Sequence, residues 1–529
     1  MQFIELFAGC GGLSLGLKSV GFNLTMANEL SPMAAESYAF NFLKEDLSAM
    51  AESSIVPQKT LWLSSSYPDI QLGSRLRENP YQFPDLDDSF SDIKLNGSNL
   101  DGALVVGSII TLNQWLSKHK SALSRIRSSF GRGSVDLVSG GPPCQSFSMA
   151  GLRQKDNEKN SLPWEFAKFV ESIKPKFVLL ENVTGILRPF TGKDGSRYYA
   201  WFELAKAFSQ IGYVPLCLHT NAKYAGVPQN RPRFVLLGVR FDILQKLKKS
   251  FSKSEISLFS EPENFYLNAN NSEDVPFNSL MYRDMGRDAD RLLIAATFLK
   301  PLCNLNEFVS VKSAIDDLKS GSKKGSKYAT NLDKIFSSIS SGKQIKNHEL
   351  RANSDLVRRR FRLYQIIEKK SPEVKKAVLG VMKGSAHDIS SEVWTSFINE
   401  EFLLAHDKFG SFHSKFDFLT YLKSHATKKQ TQRALNENLP APAALSIPDD
   451  ACHYDVNHLR TLTVREMARI QSFPDNFVFR SKVTTGGHMR KFEVPQYTQV
   501  GNAVPPLLGR ALGMAIADLL NRLQTKKLV

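Results

Sequence analysis

Short apolar segments alternate with amphipathic segments through residues 1–45 and 103–240, and no other feature restricts the fold as strongly. The apolar segments have the length of strands and the amphipathic ones that of helices, which is typical of repeated β-α units. Such a chain forms a largely parallel sheet with helices on both faces. The predicted strands cover residues 3–7, 23–27, 103–106, 135–139, 176–180, 214–219 and 233–239. The predicted helices between them cover residues 13–20, 112–128, 164–173 and 199–211.

Two stretches interrupt this alternation and divide the chain. Residues 46–101 are rich in Ser, Asp, Asn and Pro, which predicts an insertion or a long loop. Residues 245–455 show no β-α pattern and carry recurring basic clusters, so we predict a second, smaller domain there. Residues 456–529 return to the first domain, 1–244, with a helix capped by Thr463 and Glu466 and a final helix that starts near Pro505.

Charge and cysteine content narrow the class of protein. The 529 residues carry 68 Lys and Arg against 52 Asp and Glu, and the formal charge of +16 favours a polyanionic partner such as nucleic acid. The sequence has no run of about 18 apolar residues and no signal-peptide pattern, which predicts a cytoplasmic protein without a membrane span. The five cysteines are widely spaced, so neither a disulfide framework nor a metal site is expected: Cys10, Cys144, Cys217, Cys303 and Cys452.

A glycine-rich turn follows the first predicted strand. Phe7, Gly9 and Gly11 lie in the sequence Phe-Ala-Gly-Cys-Gly-Gly, where glycine allows a tight turn and close approach of a ligand to the helix start. Glu29 stands at the tip of the second strand, where a carboxylate can accept hydrogen bonds from both hydroxyls of a ribose. The spacing departs from the G-x-G-x-x-G of nicotinamide dinucleotide sites, which disfavours an oxidoreductase and favours a nucleoside such as S-adenosylmethionine. A glycine turn without a ligand is the alternative.

A cysteine and three charged residues accompany later strands of the same sheet. Cys144 stands behind two prolines at the carboxyl end of a strand, where open α/β sheets place active sites, and its thiolate would be a nucleophile. Glu181 ends the next strand, where a carboxyl group can hydrogen-bond or protonate a substrate nitrogen. Arg231 and Arg233 precede another strand and suit phosphate or carbonyl oxygens. Taken singly, these residues also fit a core thiol, a turn cap and surface charges.

Six segments, in this order, resemble the motifs of the cytosine-C5 DNA methyltransferases. They are residues 7–12, 140–148, 181–183, 229–233, 460–466 with 471–475, and 499–506. The resemblance covers roughly residues 1–45, 103–240 and 456–520, and Pro-Pro-Cys-Gln and Glu-Asn-Val at this spacing are highly specific. It implies an S-adenosylmethionine-dependent, Rossmann-like α/β large domain with a smaller, irregular target-recognition domain, which by position would be residues 245–455.

The resemblance also implies a covalent mechanism. The Cys144 thiolate would add to C6 of a cytosine flipped out of the duplex, and Glu181 would contact N3 and the amino group. C5 would then take the methyl group of S-adenosylmethionine, leaving S-adenosylhomocysteine, before loss of the C5 proton and the thiolate. Arg233 is similar to the family residue that holds the carbonyl of the base, and Arg231 to its partner near the base and backbone.

The same resemblance assigns contacts to the cofactor and to DNA. Gln145 and the loop to Asn160 are similar to a flap that closes over DNA, and the basic run of residues 358–360 is a candidate DNA contact. Where the family has an Asp that binds the adenine amine, this chain has Ser108, with Asp92 as a second candidate; the family's loop arginine is Lys159. The predicted cofactor residues are Phe7, Gly9, Gly11, Glu29, Ser108, Pro142, Leu162 and Asn502. The predicted DNA residues are Gln145, from the resemblance, and Arg358, Arg359 and Arg360, from the basic run alone, for which a solvated helix face is the alternative.

These observations predict a DNA (cytosine-5-)-methyltransferase. By analogy with the family, we expect it to be the monomeric, metal-free modification partner of a restriction system, acting on double-stranded DNA in a bacterial cytoplasm and associated with the nucleoid through DNA. An RNA cytosine-5 methyltransferase on the same scaffold is one alternative, although the long basic second domain favours duplex DNA. A non-catalytic DNA-binding relative is the other, and the presence of Cys144, Glu181 and both arginines disfavours it.

Overall fold

A computed structural model describes residues 1–143, 161–191, 197–271, 275–303, 308–320, 322, 325–337, 345–426, 432–443 and 451–525. Within these residues the central feature is a nine-stranded sheet. Its strands are β1 (Gln2–Leu6), β2 (Asn23–Glu29), β3 (Thr60–Trp62), β4 (Ala103–Val106), β5 (Leu137–Gly140), β6 (Phe177–Val183), β9 (Tyr213–Asn221), β11 (Pro232–Arg240) and β12 (Arg283–Asp284). Two-residue strands form small pairs elsewhere: β7 (Phe190–Thr191), β8 (Arg197–Tyr198), β10 (Gln229–Asn230), β13 (Phe402–Leu403), β14 (Phe409–Gly410), β15 (Arg433–Ala434), β16 (Ala441–Pro442) and β17 (Ala451–Cys452).

The strand order across the sheet is β12-β9-β11-β6-β5-β1-β2-β4-β3. Neighbouring strands are parallel except that β11 runs antiparallel to both β6 and β9. The parallel strands β1, β2, β4, β5 and β6 therefore all end at the same side of the sheet, which we call the carboxyl edge. The predicted fold class, α/β with a mostly parallel sheet, is confirmed.

Helices cover both faces of the sheet, as their apolar stripes require. One face buries α5 (Ile109–Lys118), α6 (Lys120–Arg127), α7 (Leu162–Ile173) and α8 (Ala200–Gln210). The other buries α1 (Gly12–Lys18), α9 (Phe241–Lys248), α11 (Asp288–Ala295) and α20 (Pro506–Thr525), while α10 (Lys253–Asn271) contributes to both. The remaining helices are α2 (Pro32–Tyr38), α3 (Leu47–Glu52), α4 (Leu72–Arg75), α12 (Val311–Ile315), α13 (Lys327–Ile335), α14 (Asp355–Glu368), α15 (Pro372–Met382), α16 (Ser391–Thr395), α17 (Lys415–Ser424), α18 (Val464–Ile470) and α19 (Gln496–Asn502).

The stretch predicted as an insertion or loop, residues 46–101, contains regular structure. It holds α3, α4 and the edge strand β3, which pairs in parallel with β4. The carboxylate of Asp92 accepts a hydrogen bond from the Trp62 N–H at 2.8 Å and forms an ion pair with Arg75 at 2.7 Å. A three-residue strand is too short to show a two-residue period in the sequence, so the loop prediction was wrong for residues 60–62.

The helix predicted at residues 112–128 is two helices, α5 and α6, which meet at His119. The His119 ring stacks on Trp115 with centroids 4.4 Å apart, and its Nδ1 lies 2.7 Å from the Trp115 carbonyl oxygen. The His119 backbone is non-helical (φ −111°, ψ 75°). The apolar stripe continues across this bend, which is why periodicity alone predicts one helix.

Residues beyond the predicted domain boundary at 245 still pack in the two apolar cores that cover the faces of the nine-stranded sheet. Residues 258–302 pack in the two cores of the nine-stranded sheet, where β12 lies beside β9. Residues 311–336 pack with α18, α19 and the start of α1 in a third core. A separate core begins only with α14 and includes α15, α17 and Cys452. Residues 241–302 are mostly helical and show no β-α alternation, so the sequence does not indicate that they pack on the sheet.

The last segment contains the predicted capping box and a long C-terminal helix. Thr463 Oγ1 accepts from the Glu466 N–H at 3.2 Å and Glu466 Oε2 accepts from the Thr463 N–H at 2.8 Å, which completes the predicted capping box of α18. Helix α20 packs on α1. Within the described residues, no single helix is long and apolar enough to cross a membrane. The helical segments 487–502 and 506–524 reach that length and apolar content only when taken together, and they are bent by 65° relative to each other.

Candidate active site

The glycine turn between β1 and α1 lies at the carboxyl edge and leaves room beside its backbone. Phe7, Gly9 and Gly11 all have positive φ, at 55°, 56° and 94°, so the chain reverses within a few residues. A Cβ at Gly9 would meet nothing within 4 Å, whereas one at Gly11 would lie 2.2 Å from the Phe42 ring. The turn is therefore packed on one side by Phe42 and open at Gly9, as a ligand cradle requires.

Glu29 ends β2 beside this turn. Its two carboxylate oxygens accept hydrogen bonds from the N–H groups of Gly9 and Ser31, both at 2.8 Å. Burial raises the pKa of Glu29, and these backbone hydrogen bonds oppose that shift. Each oxygen keeps a further lone pair, so the carboxylate is held in place while remaining able to accept from a sugar hydroxyl.

Of the two candidates for the adenine-contacting position, the structure brings Ser108 to this edge. Ser108 follows β4, and β4 pairs with β2 so that Val106 lies opposite Glu29. Its hydroxyl accepts a hydrogen bond from the Ile110 N–H at 3.2 Å and caps α5. Asp92 instead binds the outermost strand β3, as described above, which favours Ser108.

Three further predicted cofactor residues lie at the starts or ends of elements. Pro142 is buried just after β5, and its carbonyl oxygen accepts from Asn182 Nδ2 at 3.1 Å. Leu162 begins α7 and packs against the core of the sheet. Asn502 is the last residue of α19 and is exposed. Their common function as cofactor contacts stays a prediction.

Glu181 and Arg233 form a buried ion pair across two neighbouring strands. Arg233 Nε lies 2.6 Å from Glu181 Oε1, with each side chain 10% exposed. The pairing follows from the antiparallel register, in which Val183 faces Arg233 and Glu181 faces Val235. The sequence predicts both residues as site residues but not that they contact each other, because strand direction is invisible in it.

Gly141 is a residue of this site to which the sequence analysis assigns no role. A Cβ at Gly141 would lie 3.1 Å from Glu181 Oε2, tighter than nearly all real contacts. The Glu181 carboxylate thus lies against the chain three residues before Cys144. In the sequence, the two consecutive glycines at 140 and 141 were the feature that could have indicated this close approach. Cys144, Gln145 and Lys159 themselves lie outside the described residues.

Arg231 occupies a different environment from Arg233. It is 2% exposed, and its Nη2 donates to the carbonyl oxygens of Gly501 at 2.8 Å and Ala503 at 3.1 Å. Burial lowers its pKa well below the usual value, and the neighbouring Arg233 adds to that effect. The two arginines therefore point to separate partners, one to the C-terminal segment and one to Glu181.

The three arginines predicted to touch DNA each have an intramolecular contact on α14. Arg358 forms an ion pair with Asp407 at 2.5 Å, and Arg359 lies 3.8 Å from an Asp355 oxygen. Arg360 donates to the carbonyl oxygens of His425 at 3.3 Å and Ala426 at 3.1 Å. DNA contact by these residues stays a prediction, and Arg359 has the weakest internal contacts of the three.

Comparison with known proteins places this chain beside DNA methylases. The sequence profile of the family described as C-5 cytosine-specific DNA methylase matches residues 1–62 and 114–518, and it leaves out residues 63–113. The chain is 25% identical to the Type II methyltransferase M.DdeI of Desulfomicrobium norvegicum, over 98% of this chain and 88% of that one. It is 26% identical to M.Bpa9945I of Bacillus paralicheniformis and 25% identical to M.AgeI of Thalassovita gelatinovora, over 98% of this chain and 99% of each relative.

Proposed function

Because the chain belongs to the C-5 cytosine-specific DNA methylase family, we propose that it transfers a methyl group from S-adenosylmethionine to C5 of a cytosine in duplex DNA. The observation that carries the proposal is the buried Glu181–Arg233 ion pair beside Gly141, at the same carboxyl edge of the sheet as the glycine turn and Glu29. A carboxyl group and a guanidinium in this place suit the N3–amino edge and the carbonyl of a cytosine.

The residues of the chain divide the chemistry between them. The Cys144 thiolate forms a bond to C6 of the flipped base, and Glu181 hydrogen-bonds N3, so that electron density moves to C5. Arg233 holds both the base carbonyl and the Glu181 carboxylate in position. After C5 has taken the methyl group, its proton passes to water, the electron pair of that C–H bond returns to the ring, and the bond from C6 to Cys144 breaks to release the thiolate.

The other four cysteines are poor candidates for the nucleophile. Cys10, Cys217 and Cys452 are buried, and burial raises the pKa of each thiol. Burial also raises the pKa of Cys303 to about 11. A thiol with a raised pKa is protonated at neutral pH and reacts slowly, which supports the proposal that Cys144 performs the attack.

S-adenosylmethionine fits the residues at the glycine turn. The open space beside Gly9, the fixed Glu29 carboxylate and the hydroxyl of Ser108 offer a close backbone approach and hydrogen-bond partners for a nucleoside. We assign the cofactor to Phe7, Gly9, Gly11, Glu29, Ser108, Pro142, Leu162 and Asn502. When bound, it supplies the methyl group; the chain supplies the orientation.

Methylation mapping tests this function directly. We expect that expressing the chain in a host without DNA methylation marks one cytosine of one short sequence as 5-methylcytosine in base-resolution sequencing of the genome. The Cys144→Ser variant, expressed at the same level, is the control and should leave the DNA unmarked. Marks confined to RNA would favour the alternative RNA substrate, and no marks in either nucleic acid would favour a non-catalytic relative.

We further propose that the mark protects DNA from a restriction endonuclease, since the relatives described above are named Type II methyltransferases. Once the modified sequence is mapped, genomic DNA from the expressing host should resist an endonuclease that cuts this sequence. DNA from the host carrying Cys144→Ser should be cut. Complete cutting of fully methylated DNA would contradict a protective function for this mark.

The basic small domain is proposed to bind the DNA backbone, and α14 offers a matched test. Arg359→Ala should make the slope of log affinity against log salt shallower by about 0.9, because one phosphate contact is lost. Arg360→Ala should instead lower the thermal unfolding midpoint, since Arg360 holds the carbonyl groups at residues 425 and 426. The slope is measured by fluorescence anisotropy with a duplex of the mapped sequence, at salt concentrations from about 50 to about 200 mM. An unchanged slope for Arg359→Ala would remove this residue from the DNA contact.

A further inference from the structure

Arg231 is a buried cation with no acidic partner among the residues that the structure describes. Arg231 is only 2% exposed. Among the described residues no carboxylate oxygen lies within 4.0 Å of its guanidinium nitrogens. Its Nε also has no hydrogen-bond partner in that part of the chain. A buried charge that lacks a counter-charge is costly, so its retention calls for a function.

The hydrogen bonds of Arg231 fix one short turn of backbone. Nη2 donates to Gly501 O and Ala503 O, which are the carbonyl groups on either side of Asn502. These carbonyls lie at the end of α19, where helix carbonyl groups lack partners within the helix. Arg231 therefore holds the backbone of Asn502 from both sides while leaving the Asn502 side chain exposed.

The turn that Arg231 holds packs on the glycine turn. A Cβ at Gly12 would lie 2.2 Å from the Val504 carbonyl oxygen, and one at Gly16 would lie 2.6 Å from the Pro506 carbonyl oxygen. Residues 501–506 thus approach α1 so closely that only glycine fits at these two positions. A displacement of this turn would change the wall of the proposed cofactor site.

The backbone of Arg231 is anchored to the end of β9. Its N–H donates to Asn221 Oδ1 at 3.0 Å, and its carbonyl oxygen accepts from the Ala222 N–H at 3.0 Å. Two residues further on, Arg233 forms the ion pair with Glu181. One five-residue stretch, 229–233, therefore reaches the catalytic carboxylate through Arg233 and the Asn502 turn through Arg231.

We propose that Arg231 is a positioning residue that couples the cofactor site to the target-base site by holding the Asn502 turn against the glycine turn. The inference rests on the proposed function, since Asn502 and the glycine turn are cofactor residues only within it. Arg231 then affects S-adenosylhomocysteine affinity through Asn502, without touching the base. Because binding coupling is reciprocal, it also makes cofactor and DNA strengthen each other's binding.

The direct alternative, that Arg231 contacts the base or the DNA backbone, predicts different measurements. A contact of that kind would weaken DNA binding when lost and leave cofactor binding without DNA unchanged. Loss of a positioning residue would weaken cofactor binding without DNA, and it would change DNA binding only when the cofactor is present. Binding of S-adenosylhomocysteine to the DNA-free protein therefore distinguishes the two.

The first experiment measures S-adenosylhomocysteine affinity of Arg231→Met by isothermal titration calorimetry without DNA. We expect the Kd to rise about 10- to 100-fold, the loss that follows from removing hydrogen bonds of a charged donor. Arg240→Met is the matched control, because Arg240 lies at the other end of β11 and also donates to a carbonyl, that of Lys174 at 2.7 Å. Its Kd should equal that of the unchanged protein. An unchanged Kd for Arg231→Met would overturn the proposal.

The second experiment asks whether Arg231 acts through Asn502. In a double-mutant cycle with Asn502→Ala, the double variant should bind S-adenosylhomocysteine no more weakly than the weaker single variant, because both changes disable the same turn. Additive losses would show independent effects and contradict the coupling. Arg231→Lys, which keeps the charge but presents its donors from one point, should recover only part of the affinity.

The outcomes separate this inference from the proposed function. If the unchanged protein binds no S-adenosylhomocysteine, the proposed function fails. If it binds while Arg231→Met binds equally well, only the positioning inference fails. Should Arg231→Met not fold, as judged by its thermal unfolding transition, the same cycle with Arg231→Lys and Asn502→Ala decides the question.

Discussion

Replacing Cys144 with serine is expected to abolish methyl transfer, with a loss on the order of 10⁴-fold or more. A serine hydroxyl is far less ionised than a thiol at neutral pH, so the bond to C6 does not form and C5 is never activated. The measurement is transfer of a radiolabelled methyl group to a duplex that contains the mapped sequence. DNA with 5-fluorocytosine at the target should trap the unchanged enzyme covalently, because fluorine cannot leave as a proton does.

Cys303→Ser is the matched control, since Cys303 is the least buried of the four described cysteines. It should keep full turnover and still be trapped by 5-fluorocytosine. Peptide mapping of the trapped complex should place the DNA on Cys144. A serine variant at position 144 with full turnover, or a trapped adduct on another cysteine, would refute the covalent mechanism proposed for this chain.

Replacing Glu181 with glutamine should slow methyl transfer by roughly 10²-fold or more, because an amide cannot give or take the proton that assists attack at C6. The same change leaves Arg233 with a neutral partner in a buried place, at a cost to folding of about 1–3 kcal/mol. Single-turnover rates with saturating cofactor measure the chemistry, and thermal unfolding measures the stability. Cofactor affinity should not change, since Glu181 is not among the residues proposed to bind the cofactor.

Glu165→Gln is the control for the loss of a buried, ion-paired carboxylate. Glu165 is 8% exposed, like Glu181, and forms an ion pair with Lys168 at 2.5 Å on α7. Its variant should lose stability while keeping the single-turnover rate within a few fold. If Glu181→Gln also keeps its rate, Glu181 is a structural partner of Arg233 and not an acid in the reaction.

The residue types alone predicted where the candidate site residues occur along the chain. Glycines after the first strand, Glu29 after the second and Glu181 after an apolar run all follow the rule that open parallel sheets bind ligands where strands end. The β-α alternation predicted the fold class and the resemblance of six motif segments predicted the family, and both are confirmed. Local signals also sufficed for the capping box of Thr463 and Glu466, because its hydrogen bonds span only three residues.

Contacts between distant parts of the chain were not readable in this way. That Glu181 pairs with Arg233 depends on β11 running antiparallel to β6, and β11 reads like any other apolar strand. That Arg231 turns away from Glu181 to residues 501 and 503, about 270 positions later, depends on how α19 docks beside β11. Sequence spacing puts the two arginines on one side of a strand start, and only packing assigns them different partners.

The amino-acid sequence by itself determined the fold class, through the alternation of strands and helices, and the family to which the chain belongs, because these follow from local periodicity and short motifs. The tertiary structure alone decided the direction of β11, the packing of residues 258–302 on the sheet and the partners of Arg231, Arg233 and Arg358. These depend on which apolar faces and buried polar groups meet across hundreds of residues. A buried charge must find its hydrogen-bond partner wherever the fold brings one, and no pattern of neighbouring residues records that choice.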